Sequence, residues 1–168
     1  ASEVHSIKTL VCIEIPSQIE VALKALRRRS INDYQVLALT PHVEYALEKW
    51  GHEFRRQEDY HSPEDIVSLG QEELEDLDRF CDVFDSFLQS KWEPLAKHEI
   101  NPANLNWYYL RLLFSSIRIR AFVLSRVFEY EQPQRVLYFD TKAEPLNRGL
   151  FFIRESAWSR VIPVASEE

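Results

Sequence analysis

The chain has very little glycine: three residues in 168, at positions 51, 70 and 149. A loop that cradles a diphosphate needs glycines, because the backbone must come close to the phosphates with no side chain in the way. Neither the dinucleotide fingerprint nor the P-loop is present, which excludes a standard dinucleotide-dependent dehydrogenase and a P-loop NTPase. Methionine is absent and cysteine occurs twice. Cys12 sits in an apolar run and Cys81 in a helical pattern, so both read as buried free thiols and not as a disulfide or a metal pair. No apolar run approaches the ~18–20 residues of a membrane span. The opening Ala1-Ser2-Glu3-Val4-His5 lacks the basic and apolar regions of a secretory signal, and a cytoplasmic protein is expected. His-Glu-x-x-His, Cys-x-x-Cys and Gly-x-Ser-x-Gly are all missing. No motif fixes a reaction, the catalytic residues stay unknown, and no metal or cofactor is expected.

What is present is a globular composition, 45% apolar and 12% aromatic, enough for one domain with a full core. The net charge of −7 comes from one segment: residues 58–85 hold eleven of the 27 acids and one of the 20 bases, Arg79. The plain reading is a solvated helix face, the sharper one a docking surface for a basic partner. The sign argues against nucleic acid.

Ile7 to Ile15 is nearly continuous in apolar and β-branched residues, which suits a central parallel strand covered on both faces. Ser17 is placed to cap a helix through Arg29, with Ile19, Ala22, Leu23 and Leu26 at helical spacing. The triplet Arg27-Arg28-Arg29 complements the dipole of its last turn. Tyr34 to Leu39 is a second strand. Thr40-Pro41 is a cap with proline at the first helical position, and Gly51 suits the residue after that helix. A short third strand is expected within His52–Gln57. Ser62-Pro63-Glu64-Asp65 opens a helical middle that Gly70 should divide. Beyond it, Leu77, Phe80, Cys81, Phe84 and Phe87 form an apolar stripe. Pro94 and Pro102 bracket a loop. Asn104 or Asn106 starts a long helix to about Tyr130, apolar over most of its circumference and expected to be the most buried. Its Arg111 and Arg118 either pair with the acidic helix or line an anion pocket. Val136–Phe139 is a strand, and Val161–Val164 reads as a last one. The fold class is therefore α/β: an open, doubly wound, mostly parallel sheet of Rossmann-like type with a helical insertion at about 62–131. The expected unit is a single α/β domain over 1–168, a fragment of a longer chain.

Three apolar runs end in polar residues: Ile15-Pro16-Ser17-Gln18, Thr40-Pro41-His42 and Phe139-Asp140-Thr141-Lys142. Parallel strands share one carboxyl edge, where open α/β sheets bind ligands. Ser17, Gln18, Thr40, His42, Asp140, Thr141 and Lys142 are the candidate ligand-binding residues. Asp140 accepts hydrogen bonds from hydroxyls, holds a cation, or caps the helix or turn after it. Lys142 neutralises a phosphate or pairs with a nearby acid.

Leu39-Thr40-Pro41-His42-Val43-Glu44-Tyr45-Ala46-Leu47-Glu48, the acidic helical middle and Pro133-Gln134-Arg135-Val136-Leu137-Tyr138-Phe139-Asp140-Thr141-Lys142 together resemble the N-terminal part of surface-carbohydrate biosynthesis proteins, which are similar to GT-B-type glycosyltransferases. The resemblance covers most of residues 7–142. It implies an acceptor-side half in polysaccharide biosynthesis that is inactive alone and relies on a C-terminal nucleotide-sugar-binding domain of the same protein. The chain departs from that pattern after the first strand, where Pro16-Ser17-Gln18 replaces a glycine-rich turn. The alternative is a stand-alone α/β module that binds a small ligand or a protein and catalyses nothing. The ligand expected is small and hydroxylated or anionic. Nucleic acid and a membrane span are not expected, and a homodimer is left open.

Overall fold

The computed structural model describes residues 9–139 and Ile162. The expected strand at 161–164 and site residues Asp140, Thr141 and Lys142 lie outside them, apart from Ile162, whose backbone is helical and whose side chain is buried. In chain order the elements are β1 (Thr9–Ile13), α1 (Ser17–Arg28), β2 (Tyr34–Ala38), α2 (Pro41–Lys49), a 3₁₀ turn (Gln57–Tyr60), α3 (Pro63–Lys91), α4 (Glu93–Lys97), α5 (Pro102–Leu105), α6 (Trp107–Glu131) and β3 (Arg135–Leu137). Among the described residues the protein is α/β, with an open sheet of three parallel strands in the order β2-β1-β3. Val11 of β1 pairs with Val36 on one side and Leu137 on the other.

The described chain clusters into two compact units, one of the residues up to 62 with those from 120 on, the other of residues 63–119. In the first, β1 is central and every residue of it is buried, as its unbroken β-branched run predicts. Strand alternation sorts its side chains. Val11 and Ile13 join Val36 and Ala38 in a cluster with Ile19, Ala22 and Leu26 of α1 and Val43 and Leu47 of α2. Leu10, Cys12 and Leu37, of opposite parity, are equally buried, as are Leu124, Val127 and Ile162. Truncating a leucine such as Leu37 costs about 2–5 kcal/mol.

Helix ends follow local chemistry. Pro41 takes the first helical position of α2. Gly51, at φ 69°, closes that helix: its N–H donates to the Glu48 carbonyl and that of His52 to the Leu47 carbonyl, which satisfies two terminal carbonyls. The same closure ends α1, where Ser30 takes the left-handed position at φ 54° and Ile31 N–H reaches back to Leu26.

Several expectations about the elements need correction. Ser17 is the first residue of α1 and not its cap; Pro16 already has helical backbone angles. The stretch 52–57 is no strand: Arg55 alone bridges β2, its N–H donating to Val36 and its carbonyl accepting from Ala38. Gly70 does not divide the middle, since α3 runs unbroken for 29 residues; the cost of one glycine, about 1 kcal/mol, is small against so long a helix. Pro94 and Pro102 each lie in the first turn of a short helix instead of bracketing a bare loop.

The second unit is helical. Leu77 and Cys81 of α3 are buried with Ala103, and Trp107, Leu110 and Phe114 of α6 pack against them. Asp85 lies below α5: its carboxylate accepts the backbone N–H of Ala103 at 2.7 Å and of Asn104 at 3.0 Å, and the Asn104 amide at 2.9 Å. The acidic face is thus only partly solvated. Glu73 accepts from Ser115, Asp78 from the Trp107 indole, and Asp76 from Arg118. Arg118 accordingly pairs with acids, as the plainer reading holds, while Arg111 stacks on Trp107. The expectation that α6 is the most buried helix fails. Leu112, Leu113 and Ile117 are exposed, and its buried positions are Val123, Leu124, Val127 and Glu131 near the far end.

Candidate functional site

A parallel sheet with order 2-1-3 has one place where the connections leave in opposite directions, beyond the carboxyl ends of β1 and β3. Open α/β sheets bind ligands there, because no crossover covers the edge. In this chain the position belongs to Glu14, the residue after β1.

Glu14 is held from three directions. Its backbone N–H donates to Oε1 of Gln18 at 2.9 Å, and the N–H of Ile15 donates to the same oxygen at 3.2 Å. Its carbonyl accepts the Thr40 hydroxyl at 2.8 Å. Nearby, the Gln57 side chain donates to the Leu39 carbonyl at 2.7 Å. The ends of β1 and β2 are therefore stitched to each other and to the 3₁₀ turn. The Glu14 side chain is buried, with only 4% of its surface exposed.

Arg120, on the part of α6 that belongs to the same unit, lies within electrostatic reach of it. Burial pulls the Arg120 guanidinium below its ordinary pKa, and the Glu14 carboxylate restores part of the loss. An arginine is the side chain whose donors match a carboxylate, a phosphate or paired hydroxyls.

A second buried acid, Glu131, ends the same helix and accepts the Tyr60 hydroxyl, while Tyr130 meets the Tyr60 ring edge to face. Burial, with the hydrogen bond to Glu131 behind it, raises the Tyr60 pKa far above the ordinary phenol value. This group clamps the 3₁₀ turn, and the Tyr60 hydroxyl offers no acid or base near neutrality. Cys12 is equally inert, its thiol pushed up to about 12 by burial.

Of the sequence candidates, the sheet brings Ser17, Gln18, Thr40 and His42 to one edge. Ser17 and His42 are exposed there, in the first turns of α1 and α2. Gln18 is buried and its carbonyl oxygen is spent on the two amides; Thr40 is half-buried and its hydroxyl is spent on Glu14. These two shape the edge more than they offer it to a ligand. Arg120 was not singled out from the sequence. The signal was its spacing: Arg120, Leu124, Val127 and Glu131 stand at steps of four, three and four, the buried face of a helix with a charge at each end.

A shallow hollow of about 540 Å³ lies elsewhere, lined by Gln35, Glu48, His52, Arg55 and neighbours. Its lining mixes both charge signs without a convergent set. Among the described residues, no cluster of three or more His, Cys, Asp or Glu is arranged to hold a metal ion, and no helix is long and apolar enough to cross a membrane.

Compared with protein-family models, curated proteins and solved structures, the chain matches none.

Proposed function

We propose that the α/β unit binds a small hydroxylated or anionic molecule at the carboxyl edge of its sheet and turns over no nucleotide sugar by itself. The reading takes the chain as the acceptor-side half of a GT-B-like sugar transferase, a Rossmann-like, doubly wound half whose donor site lies on another domain. The observation that supports it is the buried Glu14, fixed by Gln18 and Thr40 where the strand order reverses, with Arg120 within electrostatic reach.

The backbone beside them supports the second part. A diphosphate needs free N–H groups at a helix start. Here the amides of Glu14 and Ile15 are taken by Gln18, and Pro16 and Pro41 bring no N–H to either turn. A side-chain amide fills the place of the phosphate cradle. An arginine beside a buried acid suits a sugar hydroxyl pair or a single carboxylate better than a nucleotide.

Calorimetric titration of the purified chain with sugars, sugar acids, sugar phosphates and nucleotide sugars tests the reading. The expected result is weak binding, on the order of millimolar, to a sugar or sugar acid, lowered about tenfold or more by Arg120→Met, as fits the loss of a charged hydrogen bond. Sub-micromolar binding of a nucleotide sugar would make this a complete donor site and overturn the proposal.

A further inference from the structure

We infer that the helical unit pairs with a second copy of itself through the open apolar face formed by α3 and α6. The face is made of Phe80, Val83, Phe84 and Phe87 on α3 and Leu113 and Ile117 on α6, exposed by 38%, 66%, 41%, 53%, 42% and 45%. Spacings of three and four put the first set in one row. Phe80 joins the rows: it stacks on Phe84 at 5.5 Å between centroids and tilts against Phe114 of α6 at 5.1 Å. Leu113 is next to Phe114 in the chain and Ile117 about one turn beyond it.

Three observations choose the occupant. The first is area. The six side chains leave on the order of 600 Å² of apolar surface open, taking aromatic side chains at roughly 200 Å² each. That lies at the top of what a lone protein displays, and it matches one side of a stable interface, about 800 Å² per partner with about 60% of it apolar.

The second is charge. Around the face both signs alternate: Arg118 bridges Asp76 and Glu72, Arg79 lies 3.7 Å from Asp76, and Lys91 sits over the Phe87 ring. At about 100° per residue, the acids Glu75, Asp78 and Asp82 fall on the side of α3 away from the Phe80 row. The acidity that would recruit a basic partner thus points elsewhere, while a rim of mixed sign complements itself across a two-fold axis.

The third is architecture. Trp107 reaches Asp78, Ser115 reaches Glu73 and Arg118 reaches Glu72, so α6 runs antiparallel to α3. Two helices make a single layer, and a single layer buries only one side. Two such layers face to face form a four-helix bundle, which buries the other.

Sedimentation equilibrium on the full chain at micromolar concentrations tests this, with hydrogen exchange read on residues 80–87 and 109–117. A dimer is expected, with exchange there slowing as concentration rises. Phe84→Glu and Leu113→Glu should each raise the dimer dissociation constant roughly thirtyfold or more, the scale of an interface hot spot, with the far-ultraviolet circular dichroism kept. If either variant fails to fold, the concentration dependence of exchange in the parent decides alone. A monomer at every concentration overturns the proposal: slow exchange on the face would then mean that the chain's own residues cover it, and fast exchange quenched only by an added Lys/Leu amphipathic peptide would make it a partner site. A dimer indifferent to both substitutions overturns it as well.

Discussion

The Thr40 hydroxyl donates to the Glu14 carbonyl at 2.8 Å, tying the residue after β2 to the residue after β1. Thr40 was expected to spend that hydroxyl on its own helix, yet it makes no side-chain cap of α2. Thr40→Val keeps the shape and removes the donor, leaving a carbonyl of a buried residue without it. Urea unfolding should show a loss of about 1–3 kcal/mol. A change under about 0.5 kcal/mol would mean that water replaces the hydroxyl.

Glu14 and Arg120 should be energetically coupled. Arg120→Met removes a charge that favours the buried Glu14 carboxylate and should cost about 1 kcal/mol, the scale of a partly screened charge, since Arg120 is only half-buried. Adding Glu14→Gln should recover most of it. A double-mutant cycle in urea measures the coupling, and additive losses would show that the two charges act independently.

Asp85 should govern acid stability of the helical unit. Burial alone would raise its pKa, but the donors at Ala103 and Asn104 outweigh it and hold the carboxyl below the ordinary carboxylate range. A depressed folded pKa gives stability that is present above the unfolded value, about 3.9, and lost as pH falls through the folded one. Asp85→Asn should therefore cost about 1–2 kcal/mol near neutrality and flatten the decline below about pH 4. An unchanged acid limb, followed by urea midpoints at several pH values, would remove Asp85 from that role.

Scarce glycine leaves side chains in left-handed positions. Ser30 and Glu99 close α1 and α4 at φ 54° and 51°. Ser30→Gly and Glu99→Gly should each stabilise by about 1 kcal/mol, since the left-handed region costs a side chain about that much. Thermal midpoints check it, and a loss from either substitution would show that the side chain contributes more than its strain.

Much of the α/β unit was legible in the sequence because its signals are local. The β-branched run of β1, the Thr40-Pro41 helix start and the Gly51 closure each act within a few residues. What was not legible depends on partners distant in the chain. Periodicity shows that Phe84 and Leu113 belong to apolar rows, but it cannot say whether anything packs on those rows. Arg55 makes a single bridge to β2 where a strand was expected, because its neighbours turn away into the 3₁₀ segment. The Gln18 side chain returns to the amides of Glu14 and Ile15 only because the backbone turns sharply at Pro16. Arg120 looked like one of several helical arginines until the fold brought it within electrostatic reach of Glu14.

Pairing Val11 with Leu137 has a kinetic consequence. β1 and β2 are separated by one short helix, whereas β3 returns after nearly all of the described chain. Closing a long loop costs entropy before its contacts repay it, and contacts so far apart slow folding. The β-α-β unit of β1, α1 and β2 should order first and β3 last. The edge where a ligand is proposed to sit is then finished by the final step of folding, so a bound ligand would act first on the rate at which β3 leaves.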